Sequence, residues 1–348
     1  MLDAEVRAQI SSQLASLLPP VQIDSLDSEA VVAGARFDLV ARVSVGDAER
    51  TLLVEISNSG QPRHLREAIA RFEEAGIADA DGQLLIAAPY ISPRGMDICR
   101  RHGVGCVDLV GNGYLAFDGV YIERVTGEKP ASRRRRTKDL FAPVSSRALR
   151  AMLEEPERVW RLAELAETAG VSLGQTYNVS EKLVDEDLAR KSRRDGLALT
   201  DPGALLDIWR EAYDVTAANE VLSFHTSERD PGRFMVQVGE AARSLGQRYA
   251  FTLHAGGSLV APFVRFNDVH FYVGPDVSSW VEALGLRVVE FGGNIHLLQA
   301  YDDGVFYRLR KPRGLAVVGN VQIYLDLYQY PARGREQAEH LREHEIGF

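Results

Sequence analysis

The sequence predicts a multidomain α/β protein in three parts: a mixed α/β unit over residues 1–128, a basic linker with a small helical unit over 129–201, and a second α/β unit over 202–348. Three observations lead there. The chain has 348 residues, more than a single domain of ordinary size holds. Strand-like apolar runs alternate with helical spacing on both sides of the middle. Between 129 and 200 the charge balance reverses, with 15 Lys and Arg against 11 Asp and Glu, whereas the rest of the chain carries 25 against 38.

Composition excludes several classes at once. A hydrophobic share of 45% and a charged share of 26% are globular values, unlike those of disordered, collagenous or coiled-coil chains. No apolar run approaches the ~18 residues that cross a bilayer. The opening MLDAEVRAQISSQLASLLPP has an early acid and a broken apolar pattern, unlike a secretory signal, so a cytoplasmic protein without membrane contact is expected. The two cysteines, Cys99 and Cys106, have no second Cys or His pair at zinc spacing and are expected to be reduced thiols.

The elements follow in order. Val6, Ile10, Leu14, Leu17 and Leu18 recur at helical spacing before Pro19-Pro20, predicting an amphipathic helix. Residues 36–43 and 51–56 read as strands joined at Gly46-Asp47, a hairpin by pattern and spacing. A helix over 63–74, a buried strand over 83–88, a helix over 93–102 ended by Gly103 and a strand over 104–109 complete the first mixed sheet.

The middle begins with helices over 145–154 and 160–168, then the turn at Gly170 and a third helix from Ser172 to about Asp185. Ser172 is placed to cap that helix, and Leu173, Tyr177, Val179, Leu183 and Val184 are expected to supply its core face. Residues 188–192 and 197–200 flank Arg193-Arg194-Asp195-Gly196, and Asp-Gly is a strong hairpin signal. This order is that of a winged helix-turn-helix, whose helix after the turn lies in the DNA major groove. Phosphate and base contacts are then expected from named residues. Arg133, Arg134, Arg135 and Arg136 precede the helices as a basic arm, a run that also fits a solvated linker. Ser172, Gln175, Thr176 and Asn178 carry short polar side chains toward base edges, Lys182 reaches a phosphate, and Arg190, Lys191, Arg193 and Arg194 make a basic wing. The last part opens on a helix through Trp209 and Tyr213, with strands expected over 269–273, 287–291, 295–298 and 316–318.

Two acids in the first hairpin, Asp38 and Glu55, stand where adjacent strands could present both carboxylates to Mg2+. This stretch resembles the PD-(D/E)xK restriction-endonuclease-like superfamily, with the two acids in its acidic positions. Ser57 occupies the position of its lysine, and only Arg63 or Arg66 on the next helix offers a substitute cation. The resemblance implies a degenerate nuclease-like domain, with Mg2+ only under the alternative of an active nuclease and no cofactor otherwise.

A broader likeness rests on VEISNSGQPRHLREAI, LLIAAPYISPRGMDICRRHGVGCVDLVGNGYLAF and VQIYLDLYQYPARGREQAEHLRE. These resemble the AbiEi-type antitoxins and transcriptional regulators of type IV toxin-antitoxin systems. The likeness implies a DNA-binding repressor of its own operon, with an antitoxin-like α/β domain over 202–348 and a cognate toxin or other protein as a partner, while the winged helix-turn-helix order leads to double-stranded DNA as partner and a homodimer on a two-fold operator. A metal-dependent endonuclease using Asp38 and Glu55, or a purely protein-binding antitoxin, are the alternatives. In the last part, Gly256-Gly257-Ser258 followed by Asp268-Val269-His270 resembles the Gly-Ser and paired-acid pattern of nucleotidyltransferases, with His270 in place of the second acid, which implies a degenerate scaffold. His340-Leu341-Arg342-Glu343-His344 spells H-x-x-E-H, but a zinc peptidase needs a separate downstream carboxylate and only Glu345 follows, so exposed histidines on an amphipathic helix are expected. No phosphate-binding P-loop, dinucleotide fingerprint or serine elbow occurs.

Overall fold

The structure, a computed structural model, describes residues 2–18, 20–32, 34–76, 82–128, 140–192 and 196–348. It is a mixed α/β protein whose chain divides into two compact units, 1–136 with 184–187, and 137–183 with 188–348. The boundary expected at 201 falls inside the second unit. Among the described residues no helix is long and apolar enough to cross a membrane.

The first unit is a seven-stranded sheet with helices on both faces. Helix α1 (Leu2–Leu17) leads into β1 (Gln22–Ser28), a two-stranded ribbon of β2 (Val31–Val32) and β3 (Ala35–Arg36), and the expected hairpin of β4 (Leu39–Val45) and β5 (Ala48–Ile56). Val45 pairs with Ala48 across the two-residue turn, where Gly46 has φ 60°. Helix α2 (Pro62–Glu74), β6 (Gln83–Ala88), α3 (Pro93–Arg101), β7 (Gly105–Asp108), β8 (Gly113–Phe117) and β9 (Val120–Arg124) follow. The sheet order is β1-β4-β5-β6-β7-β8-β9, with β5, β6 and β7 parallel and the flanks antiparallel.

Strand alternation splits the apolar side chains into two cores. Leu52 and Val54 face α1 with Ile10, Leu14, Ala41, Val43 and Leu85. Leu53 points the other way and packs with Leu65, Ile69, Ile86 and Met96 of the α2 and α3 side. Both cysteines are free and buried there, and the Cys106 thiol is pushed well up, first by its hydrogen bond with Cys99 and then by burial. Asp108 is fully buried, and its carboxylate accepts from the amides of Ile91, Val110 and Asn112 and from the Asn112 side chain. One acid thereby satisfies the backbone of two loops.

The second unit starts with α4 (Pro143–Glu154), α5 (Leu162–Ala169) and α6 (Leu173–Asp185), then the hairpin of β10 (Ala189–Ser192) and β11 (Gly196–Leu199). Trp160, fully buried, exchanges both backbone hydrogen bonds with Leu197 and so adds a one-residue third strand to the hairpin. Gly196 has φ 101°, and a Cβ there would meet the Trp160 carbonyl oxygen at 2.5 Å.

The same unit continues through α7 (Pro202–Ala212), α8 (Val215–Ala218), β12 (Glu220–His225), α9 (Pro231–Leu245), β13 (Tyr249–Phe251), α10 (Leu253–Val260), β14 (Val269–Val273), α11 (Val277–Ala283), β15 (Arg287–Val288), β16 (Ile295–Gln299), α12 (Asn320–Tyr328) and α13 (Gly334–Leu341). Its five-stranded sheet runs β13-β14-β16-β12-β15. Two expected strands are corrected here. Residues 287–291 pair only at Arg287 and Val288 before Gly292-Gly293 turns the chain, and Phe291 is 90% exposed. Residues 316–318 form only isolated bridges of Val317 to Phe251 and Arg310.

A buried polar network ties α4 to this sheet region. The Arg150 guanidinium donates to Gln322 Oε1 from two nitrogens at 2.9 and 2.6 Å, to Ser146 Oγ at 2.7 Å and to the Tyr301 hydroxyl at 2.5 Å, with Trp209 beneath it. Gln322 passes the chain on to Asp326 at 2.7 Å, whose carboxylate also accepts from Tyr213, Tyr272 and Thr252. Glu154 accepts from the Val321 amide at 3.0 Å, capping the start of α12.

Burial raises the Asp326 carboxyl to about 6 against these lowering hydrogen bonds. A folded-state value above the unfolded one favours the protonated form, so this contribution to stability is complete below about 3.8 and is lost as pH rises through about 6. The unfolding free energy of Asp326→Asn relative to the native protein is therefore expected to move by about 2 to 3 kcal/mol in favour of the variant between pH 4 and pH 7.5. Urea titrations of both proteins at the two pH values measure it, and a difference independent of pH contradicts it.

Candidate nucleic-acid interface

Helix α6 owes its placement to local chemistry on both sides of its start. Gly170 closes α5 in the left-handed region at φ 62°, a conformation cheap only for glycine. Ser172 Oγ then accepts from the Gln175 amide at 3.1 Å, as a helix cap should. Thr176, Val179, Ser180 and Leu183 form the buried face of the helix. The two hydroxyls lie among apolar neighbours because each donates to the helix backbone, Thr176 to the Ser172 carbonyl and Ser180 to the Tyr177 carbonyl.

The opposite face is open. Ser172, Leu173, Gly174, Tyr177 and Asn178 are exposed, Leu173 by 55% and Tyr177 by 49%. The expectation that Leu173 and Tyr177 belong to the core is corrected: the buried stripe runs through 176, 179, 180 and 183, which turns Tyr177 and Asn178 outward. Beside them, Lys191 of β10 stands over the Tyr177 ring at 4.2 Å and pairs with Glu181 at 2.9 Å, and Arg190 is exposed. The surface combines a helix N-terminus, an amide, a phenol, small residues and two cations, a set that suits phosphate and base-edge contact.

The other sequence-predicted residues divide into three groups. Thr176, with no exposed surface, is withdrawn from base contact. Gln175 is half-buried, with its amide nitrogen 2.7 Å from Ser145 Oγ, and serves helix packing in this state. Lys182 is half-buried on the side of α6 next to Glu181. Arg133, Arg134, Arg135 and Arg136, with Arg193 and Arg194, lie outside the described residues. Several cations that make the middle of the chain basic are committed internally: Arg147 to Asp302 at 2.7 Å, Arg150 in the buried network, and Arg158 to Glu155 and Glu164 over the Trp160 ring. Counting charges along the sequence overstates what this surface offers. Tyr177 is the residue that sequence reasoning missed, and the spacing of 176, 179, 180 and 183 is the signal that could have found it.

The two acids of the first unit are close in register, since Leu39 pairs with Val54, but they are spent separately. Asp38 Oδ2 accepts from the Ile56 amide at 2.7 Å, and Glu55 Oε1 accepts from Arg71 at 2.7 Å. A cleft of about 160 Å³ includes Glu55 and Arg71 in its lining but not Asp38. These two hydrogen bonds engage the carboxylates with different donors. Ser57 donates to the Ser59 carbonyl, and Arg63 pairs with Glu67 on its own helix.

In the second unit Gly256 and Gly257 lie within α10, and Ser258 Oγ donates to the Ala255 carbonyl at 2.8 Å. A Cβ at Gly257 would meet Gln337 at 3.2 Å, so α13 covers that face of the helix. Asp268 is exposed, while His270 is buried, stacked on His296 with ring centroids 4.3 Å apart, and 3.2 Å from the Tyr330 hydroxyl. Burial holds the His270 imidazole well below its ordinary pKa, with the neighbouring His296 adding to the effect. The His270 ring is therefore neutral at physiological pH. His340 stacks on Phe263 and His344 approaches the His340 carbonyl; among the described residues no group of three metal-ligating side chains comes together.

No protein-family model, curated protein or solved structure matches this chain.

Proposed function

We propose that the chain binds double-stranded DNA as a transcriptional regulator, with residues 143–199 acting as a winged helix-turn-helix. The observation that carries this reading is the outward face of α6, where Ser172, Gly174, Tyr177 and Asn178 are exposed beside Arg190 and Lys191 of the hairpin. Helix, helix, left-handed glycine turn, capped helix and hairpin occur in the order that places such a face in a major groove. Asn178 supplies an amide able to meet adenine with two hydrogen bonds, and the hairpin cations supply phosphate contacts. The narrower form of the reading, an antitoxin-type repressor of its own operon, rests on the sequence likeness to AbiEi-type regulators, and binding as a dimer on the winged-helix order. The nuclease alternative draws no support from the separate engagement of Asp38 and Glu55.

The test is a gel-shift titration of the full chain against DNA from upstream of its own gene, at 50 and 200 mM salt, with EDTA or with Mg2+. Expected is sequence-selective binding that weakens steeply with salt and leaves the DNA intact in either condition. Absence of binding at low salt overturns the proposal. Cleavage that needs Mg2+ and disappears in Glu55→Gln transfers the function to the first unit.

A further inference from the structure

A second surface of the same unit is built for anions. Helix α9, Tyr249 of β13 and the segment 309–316 line an open cleft of about 440 Å³, whose lining carries Arg243, Arg248, Lys311 and Arg313 and contains no acidic residue. Of these four cations, Arg248 is held by Asp303 and lies against Phe306. Among the described residues, Arg243, Lys311 and Arg313 make no ion pair, and Arg243 has only a 3.3 Å hydrogen bond to the Gly239 carbonyl of its own helix. All three are exposed at the rim. The nearby Asp276 is occupied as the cap of α11 and as acceptor from Gln247.

The floor is shaped and apolar. Gly239 lets α9 approach so closely that a Cβ would meet Leu315 at 2.9 Å and the Tyr249 hydroxyl at 3.1 Å. That hydroxyl accepts from the Ala316 amide and is near enough to Arg243 to feel its charge. Val236, Leu309 and Leu315 line the walls. The turn that carries two of the cations is itself unusual: Arg313 holds φ 54° in the left-handed region, directly before Gly314 at φ 77°.

We propose that this cleft binds a nucleoside triphosphate. Three uncompensated cations match a polyphosphate tail, since Arg and Lys contacts to phosphate are charge-assisted. Apolar walls suit the base, and a volume of about 440 Å³ lies within the range of small-molecule pockets. A duplex presents a convex, evenly charged surface and gains nothing from the apolar floor. The assignment uses no residue of 143–199 and stands independently of the DNA reading.

Isothermal titration of the full chain with ATP and GTP, with pyrophosphate and adenosine as controls, tests it. A saturable site for at least one triphosphate, tighter than about 1 mM, is expected, with pyrophosphate weaker and adenosine weaker still. Arg243→Ala and Lys311→Ala should each weaken binding about tenfold, as loss of one charged hydrogen bond does. Val236→Glu, which keeps every cation and adds a negative charge at a half-exposed wall position, should do the same without disturbing the fold, as thermal unfolding would verify. No saturation by either triphosphate, affinity unchanged in all three variants, or pyrophosphate binding as tightly as ATP each overturns the assignment. Duplex DNA that displaces ATP, with displacement abolished by Lys311→Ala, would assign the cleft to nucleic-acid phosphate instead.

Discussion

Arg150→Ala is expected to cost about 2 to 4 kcal/mol of unfolding free energy, the scale of stranding buried hydrogen-bond acceptors together with the cavity the side chain leaves. The reason lies in what the guanidinium leaves behind. Gln322 Oε1, Ser146 Oγ and the Tyr301 hydroxyl lose their donor, the first two in a region sealed from water, and Trp209 loses the cation against its ring. Each stranded polar group carries a desolvation penalty that a surface group avoids. Arg150→Lys should recover only a minor part, because an ammonium cannot bond Gln322 through two nitrogens while reaching Ser146 and Tyr301. Equilibrium urea unfolding measures both, and a loss below about 1 kcal/mol for Arg150→Ala would show that α4 is held by its apolar neighbours alone.

Asn178→Ala should relax discrimination at one base pair by about 1 to 3 kcal/mol, roughly five- to 150-fold, while leaving binding to unrelated DNA nearly unchanged. Lys191→Ala is the contrasting variant. It removes a cation from the hairpin, should weaken all sequences alike, and should lower the salt slope by about 1. Thr176→Val, at a position with no exposed surface, should leave sequence preference intact and register only in stability. Competition titrations over single-base variants of the bound site separate these outcomes. Unaltered preference in both Asn178→Ala and Tyr177→Ala would remove α6 from the interface.

Periodicity located most of the elements in the sequence because their burial is one-sided. The Gly46-Asp47 hairpin, α2, β6, α3 and α4 to β11 appear where apolar spacing and turn residues place them. What failed did so for specific reasons. The stripe on α6 runs through Thr176 and Ser180, whose hydroxyls bond the helix backbone, so polar letters concealed a buried face and apolar ones an exposed face. The run 287–291 has strand-like residues but lacks a partner strand beyond Val288. Asp38 and Glu55 were found as neighbours in register, yet nothing local in the sequence announces that Arg71, sixteen residues on, takes Glu55. The cationic cleft was invisible because its residues are gathered from 236 to 316 by the fold alone.

Gly196 illustrates how a tip position can inherit the intolerance of an interior one. Its location at the start of a hairpin strand would suggest freedom to vary, although φ 101° already lies beyond the left-handed region open to other residues. The Trp160 carbonyl 2.5 Å from where a Cβ would stand removes that freedom. A side chain at 196 would push β11 away from Trp160, and Lys191 and Arg190, which pair across the hairpin with Leu197 and Ala198, would be displaced with it. The orientation of the basic arm of the hairpin is set by the absence of one methyl group.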